Sequence, residues 1–155
     1  MMSKLIPSAN CYSLIKHYEG CKLTAYQDTK SIWTIGFGNT YYENGNRVKQ
    51  GDKITQIYAN DLLPIIVNKF ALAVNNLLKV NVTQHQFDAL VSFAYNCGIG
   101  NLDKSTLLQK INRSQADSNE FLKWNRSGGK VLAGLTYRRQ SEKHLFDTGM
   151  VKFFN

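Results

Sequence analysis

Between Lys22 and Val48 the chain changes its hydrophobic period, and that change restricts the fold more than any other feature. Before it, Cys11, Leu14, Ile15 and Tyr18 recur at helical spacing, with Ser8 or Asn10 placed to cap a helix and Gly20 placed to end it. Within it, residues 23–26 and 32–37 are short β-type runs separated by the polar turn 27–31. Asn44-Gly45 is a tight-turn pair leading to Arg47-Val48, so the segment predicts a small three-stranded antiparallel sheet. Gly36 and Gly38 inside a strand imply close approach by another backbone or a ligand.

After it the helical period returns. Thr55 caps a long helix to about residue 78, with Ile57, Tyr58, Leu62, Ile65, Ile66, Phe70, Ala73, Val74 and Leu77 as its apolar face. Pro64 within it should kink or divide it. Thr83 caps an apolar helix over 84–95, and shorter helices follow at about 105–112, 114–125 and 135–146, with Gly128-Gly129 as the last break. A sheet confined to one stretch among helices is an α+β, mainly helical chain. No repeat, linker or low-complexity segment divides its 155 residues, which is the length of one domain.

Composition narrows the function. The chain is 43% hydrophobic with 2 prolines, which excludes a disordered chain. Nineteen basic against 11 acidic residues give +8, which favours an anionic partner, but no nucleic-acid motif or basic run accompanies the charge. No apolar run reaches the length of a membrane span, and the first ten residues hold no signal-peptide core. Cys11, Cys21 and Cys97 are too few and too scattered for a disulfide framework and are expected as inert free thiols. His17, His85 and His144 show no ligand spacing, so neither metal nor cofactor is expected.

One constellation carries chemistry. Glu19 would close the first helix, Asp28 falls at the hairpin turn and Thr34 on the next strand. Two carboxyl groups in different environments are what acid-catalysed glycoside hydrolysis uses, and a hydroxyl beside them could hold the attacking water. The helix C-terminus disfavours ionisation, the sign wanted for a carboxyl that must keep its proton. Taken singly these residues have ordinary readings: a solvated acid, a turn aspartate and a strand threonine.

The chain resembles the phage-type lysozymes, the endolysins with which bacteriophages open cell walls. The resemblance rests on Glu19, Asp28 and Thr34 at their spacing, Trp33-Thr34-Ile35-Gly36-Phe37-Gly38, and residues 81–93 as the family's central helix. It continues through Asn96-Cys97-Gly98 with Gly100, residues 105–108 and 121–125, Gly128-Gly129, and Arg138-Arg139 through Leu145-Phe146. It implies a lysozyme-like two-lobed domain over 1–155: a lobe with the sheet at about 12–55, a connecting helix at about 55–80 and a helical lobe at about 80–155. It also implies hydrolysis of the β-1,4 bond between N-acetylmuramic acid and N-acetylglucosamine in peptidoglycan. Glu19 would be the general acid, Asp28 and Thr34 would orient water, and Arg138 would face the acid. Delivery of water to the opposite face gives inversion, for which carboxyl groups stand about 6.5–9.5 Å apart.

Tyr95, Asn96, Thr106 and Asn125 are sugar-binding positions by the same resemblance, while Trp33 and Trp124 are expected in the core. The enzyme would be a monomer without stable membrane association, made in the host cytoplasm. A separate membrane-permeabilising protein would release it to the periplasm. One residue departs from the family pattern: Asn39 stands where a histidine is usual, with an expected effect on stability near the hairpin. The same residues leave two rival readings, a lytic transglycosylase and an inactive peptidoglycan-binding module.

Overall fold

The computed structural model describes residues 4–155. Helix α1 (Ala9–Glu19) leads into strands β1 (Lys22–Gln27) and β2 (Trp33–Gly36), and the long helix α2 (Gln56–Leu77) follows. Then come α3 (Gln84–Cys97), α4 (Ile99–Lys104), α5 (Thr106–Asn112), a 3₁₀ helix (Ser118–Lys123), the small hairpin β3 (Arg126–Ser127) and β4 (Lys130–Val131), and α6 (Ala133–Thr148). The mainly helical α+β class read from the sequence is what the chain adopts.

Helix α3 is the centre. Thr83 and Gln86 form a reciprocal capping box at its start, and every residue from Phe87 to Ala94 is buried. A helix buried all round needs neighbours on several sides. Here α1, α2 and α6 pack on it, with Leu14 and Ile15, Leu63 and Val67, and Leu145 in one continuous core. Phe93 anchors an aromatic cluster, its ring edge-on to Phe121 at 5.7 Å and to Trp124 at 5.6 Å, and Trp124 packs half-buried against the core.

Three details differ from expectation. The sheet has two strands, β1 and β2, paired antiparallel with Tyr26 opposite Thr34. The expected third strand survives only as isolated bridges, Tyr41 to Arg47 and Thr24 to Lys53, because turns at positive-φ glycines interrupt the ladder. Helix α2 runs unbroken through Pro64, and its buried face is Ala59, Leu62, Leu63, Val67, Ala71 and Val74, whereas Ile57 and Ile65 are exposed. Apolar residues surround most of that helix, so spacing alone fits two faces and only the neighbour α3 selects one. Finally, the helix expected at 114–125 is a short 3₁₀ helix capped by Asp117, whose carboxylate accepts the Asn119 N–H. That bond from the Asp117 side chain to backbone two residues on competes with α-helix.

Candidate active site

Glu19 is the last residue of α1. The start of that helix is fixed by Ser8, whose hydroxyl caps it and whose N–H donates to the buried Asp88 carboxylate at 2.9 Å. Its end is fixed by Gly20 at φ +63°, a conformation that glycine adopts without a Cβ penalty. The Glu19 side chain is 18% exposed and accepts a hydrogen bond on Oε2 from Arg138 Nη1 at 2.5 Å. Arg138, on α6, is buried and also donates from Nη2 to the Ser92 carbonyl at 3.3 Å. Its place on α6 sets the guanidinium against the end of α1.

The other oxygen of Glu19 lies over Gly38. A Cβ at residue 38 would stand 2.7 Å from Glu19 Cδ and closer still to Oε1, and Gly38 has φ +74°. Space and backbone conformation both require glycine there. The neighbouring Asn39 is buried. Its Nδ2 donates to Tyr95 Oη at 3.2 Å, and Tyr95 Oη donates to the Phe37 carbonyl at 2.5 Å. Asn39 Oδ1 is buried without a hydrogen-bond partner among the described residues. Burial pushes the Tyr95 phenol up, and the Glu19 charge adds to that, so the hydroxyl stays protonated as the donor to Phe37.

Asp28 builds its own turn. Its Oδ1 accepts the N–H groups of Lys30 at 2.8 Å and Ile32 at 2.9 Å. Among the described residues no hydrogen bond reaches Oδ2, so the turn role and a chemical role use different oxygens. Thr34 is buried, and its hydroxyl donates to the Ile32 carbonyl at 2.9 Å. With its proton engaged, Thr34 Oγ1 faces any further group as an acceptor. The Tyr26 phenol, which sequence reasoning did not single out, is pushed up by burial and then by the charges of Glu19 and Asp28.

The four positions expected to bind sugar divide. Asn96, at the end of α3, and Thr106, at the start of α5, are exposed. Asn125 donates from Nδ2 to the Thr136 hydroxyl at 3.2 Å. Tyr95 is engaged internally, its hydroxyl tied to the β2 turn and its ring 5.3 Å from Phe70. The sequence marks Gly38 as a point of close approach, and the group that approaches it is the Glu19 carboxyl. Cys11, Cys21 and Cys97 are free thiols.

Comparison with known proteins gives one consistent picture. The profile of the phage lysozyme family matches residues 16–142. The chain is 49% identical over 144 residues to an endolysin of Bacillus phage B103, covering 90% of this chain and 53% of that protein. It thus spans about half the length of that relative. It is 40% identical over 141 residues to an endolysin of Acyrthosiphon pisum secondary endosymbiont phage 1, covering 87% of this chain and 93% of the other. Among solved structures, an endolysin from Escherichia coli O157:H7 phage FAHEc1 superposes with a TM-score of 0.87 at 35% identity, covering 98% of this chain and 99% of that one.

Proposed function

Because the chain belongs to the phage lysozyme family, we propose that it is an endolysin that hydrolyses the β-1,4 bond between N-acetylmuramic acid and N-acetylglucosamine in peptidoglycan. The observation that carries the proposal is the seat of Glu19, clamped by Arg138 through Oε2 with its other oxygen over Gly38.

Arginine only donates, so with Arg138 on Oε2 the transferable proton of Glu19 belongs on Oε1. From there it passes to the leaving glycosidic oxygen as the bond to the anomeric carbon breaks. Toward a water molecule, both Asp28 Oδ2 and Thr34 Oγ1 are acceptors. A water whose two hydrogens point at those atoms keeps a lone pair for the anomeric carbon, and Asp28 takes up its proton as it attacks. Attack on the face opposite the leaving group inverts the configuration. The ionised Asp28 also stabilises the positive charge that develops on the sugar.

Asn96, Thr106 and Asn125 are proposed sugar contacts along the helical lobe, with α2 as the connection to the lobe that holds the sheet. The +8 charge draws the enzyme to an anionic wall polymer. We place its synthesis in the host cytoplasm, its action in the periplasm as a monomer, and its release with a separate membrane-permeabilising protein.

The test is mass spectrometry of purified peptidoglycan digested by the wild type and by Glu19→Gln. Reducing muramic ends from the wild type alone support a Glu19-dependent muramidase. Anhydro ends would make it a transglycosylase instead, and no products from the wild type would leave a binding module.

A further inference from the structure

Behind Arg138 lies a second carboxylate that the reaction above does not use. Glu142 is fully buried one helical turn further along α6. Its Oε2 lies 3.5 Å from Arg138 Nε and accepts hydrogen bonds from Ser92 Oγ at 2.6 Å and Arg139 Nη2 at 3.2 Å. Its Oε1 lies 2.7 Å from Arg139 Nε. Neither Nε contact has hydrogen-bond alignment, so those atoms are held by charge. The result is a row of alternating charges, Glu19, Arg138, Glu142 and Arg139, the last three 3% exposed or less.

Such a row is a poor device for stability, because desolvating the ions offsets most of their attraction and apolar packing does as well. It does meet a demand at Glu19. A guanidinium at 2.5 Å stabilises an ionised partner, whereas a general acid must carry its proton. With Glu19 protonated, Arg138 and Arg139 without Glu142 would be two buried, uncompensated cations. Glu142 leaves one net charge instead of two.

Other titratable groups face this cluster from the elements packed on α6. From α1, Cys11 lies within electrostatic reach of Asp88, Glu142 and Arg138, and burial pushes its thiol well up. From the end of α3, Cys97 accepts a hydrogen bond from Arg139 Nη1 at 2.6 Å, and burial pushes its thiol up as well. Asp88, also on α3, is engaged by Ser8 and Gln84. Both thiols are therefore neutral near pH 7, and Glu142 is the carboxylate that answers the two arginines from behind.

We infer that Glu142 is a positioning residue for the proposed acid: it holds Arg138 in line with Glu19 and offsets its charge, so that Glu19 can keep a proton. The inference rests on the reading of Glu19 as the general acid. The experiment is the pH–rate profile on purified peptidoglycan for the wild type, Glu142→Gln, Glu142→Asp and Glu19→Gln, with a thermal melt of each.

Removing the Glu142 charge is expected to move the alkaline limb of the profile down by about one pH unit, the order of one Coulomb interaction through protein at this range. Glu142→Asp, which keeps the charge, is expected to keep the limb while losing rate from a looser Arg138. A Glu142→Gln enzyme with the wild-type limb, beside an inactive Glu19→Gln, would overturn the inference and leave the reading of Glu19 standing. An active Glu19→Gln would overturn both. Should Glu142→Gln fail to fold, Ser92→Ala carries the test, since it removes only the hydroxyl that anchors Glu142. A smaller shift in the same direction is expected there, and an unmoved limb overturns the inference.

Discussion

The carboxyl group of Glu19 occupies the space in which a side chain at Gly38 would begin. The end of the first helix and the turn after β2 are thereby brought into direct contact, and the contact tolerates no side chain at residue 38. The acid proposed for the reaction is thus held on one side by a charge, Arg138, and on the other by an absence of atoms.

Gly38→Ala is therefore expected to displace Glu19 and to lower wall-clearing activity by about 100-fold, as misplacement of a catalytic group by an ångström does. Gly45→Ala is the control. Gly45 has a similar positive φ, +84°, but nothing lies within 4 Å of its added methyl. Turbidity assays and thermal melts of both variants separate the two effects: each loses a comparable amount of stability to backbone strain, and only Gly38→Ala loses the activity.

Asp28→Asn keeps an oxygen for the N–H groups of Lys30 and Ile32 and replaces Oδ2 with a donor. The turn should survive, while the proposed water loses its base. We expect a fall in kcat of about 10²- to 10⁴-fold with an unchanged circular dichroism spectrum. Near-wild-type turnover would remove Asp28 from the mechanism.

Thr34→Val and Thr34→Ser form a matched pair. Valine removes the hydroxyl and leaves the Ile32 carbonyl with the Asp28 N–H as its donor; serine keeps the hydroxyl. Activity is expected to fall by about 10-fold or more in the valine variant, for loss of one positioning hydrogen bond in the transition state, and by much less in the serine variant. Equal rates in steady-state assays would reduce Thr34 to a strand residue.

Tyr95→Phe removes the donor to Phe37 and the acceptor from Asn39, in a place where Asn39 Oδ1 already lacks a partner. Leaving buried polar groups unpaired costs about 1–3 kcal/mol, so the urea midpoint should drop accordingly. A direct role for Tyr95 in sugar stacking would leave the ring function intact, and affinity for wall fragments should then hardly change.

Hydrogen bonds from Lys123 and then Lys110 hold the Glu120 carboxyl below its ordinary value of 4.5. A lowered folded-state value means stability that is present above the unfolded value and lost as pH falls through the folded one. The stability difference between wild type and Glu120→Gln should thus be present at about pH 7 and vanish by about pH 3, as read from denaturant midpoints. A difference that persists in acid would show that the side chain acts through packing.

Much of this was legible in the residues. Capping residues Ser8, Thr55 and Thr83 mark helix starts by local hydrogen bonding, so α1, α2 and α3 begin where the sequence places them. Glu19, Asp28 and Thr34 can be proposed together because their chemistry and spacing lie within 16 consecutive residues. Local chemistry also fixed the Asp28 turn, since the carboxylate bonds backbone only two and four residues away.

Tertiary structure decided the rest. Which side of α2 is buried depends on where α3 lies, because apolar residues on that helix leave its spacing ambiguous. A third strand failed to form because the pairing between residues 41 and 47 contends with turns at the glycines around it. The row from Glu19 to Arg139 joins positions 119 and more residues apart, and neither Glu142 nor Ser92 carries a local mark of belonging to it. Periodicity and capping are short-range forces written in neighbouring residues, whereas a buried charge acquires its meaning only from the partners that folding brings to it.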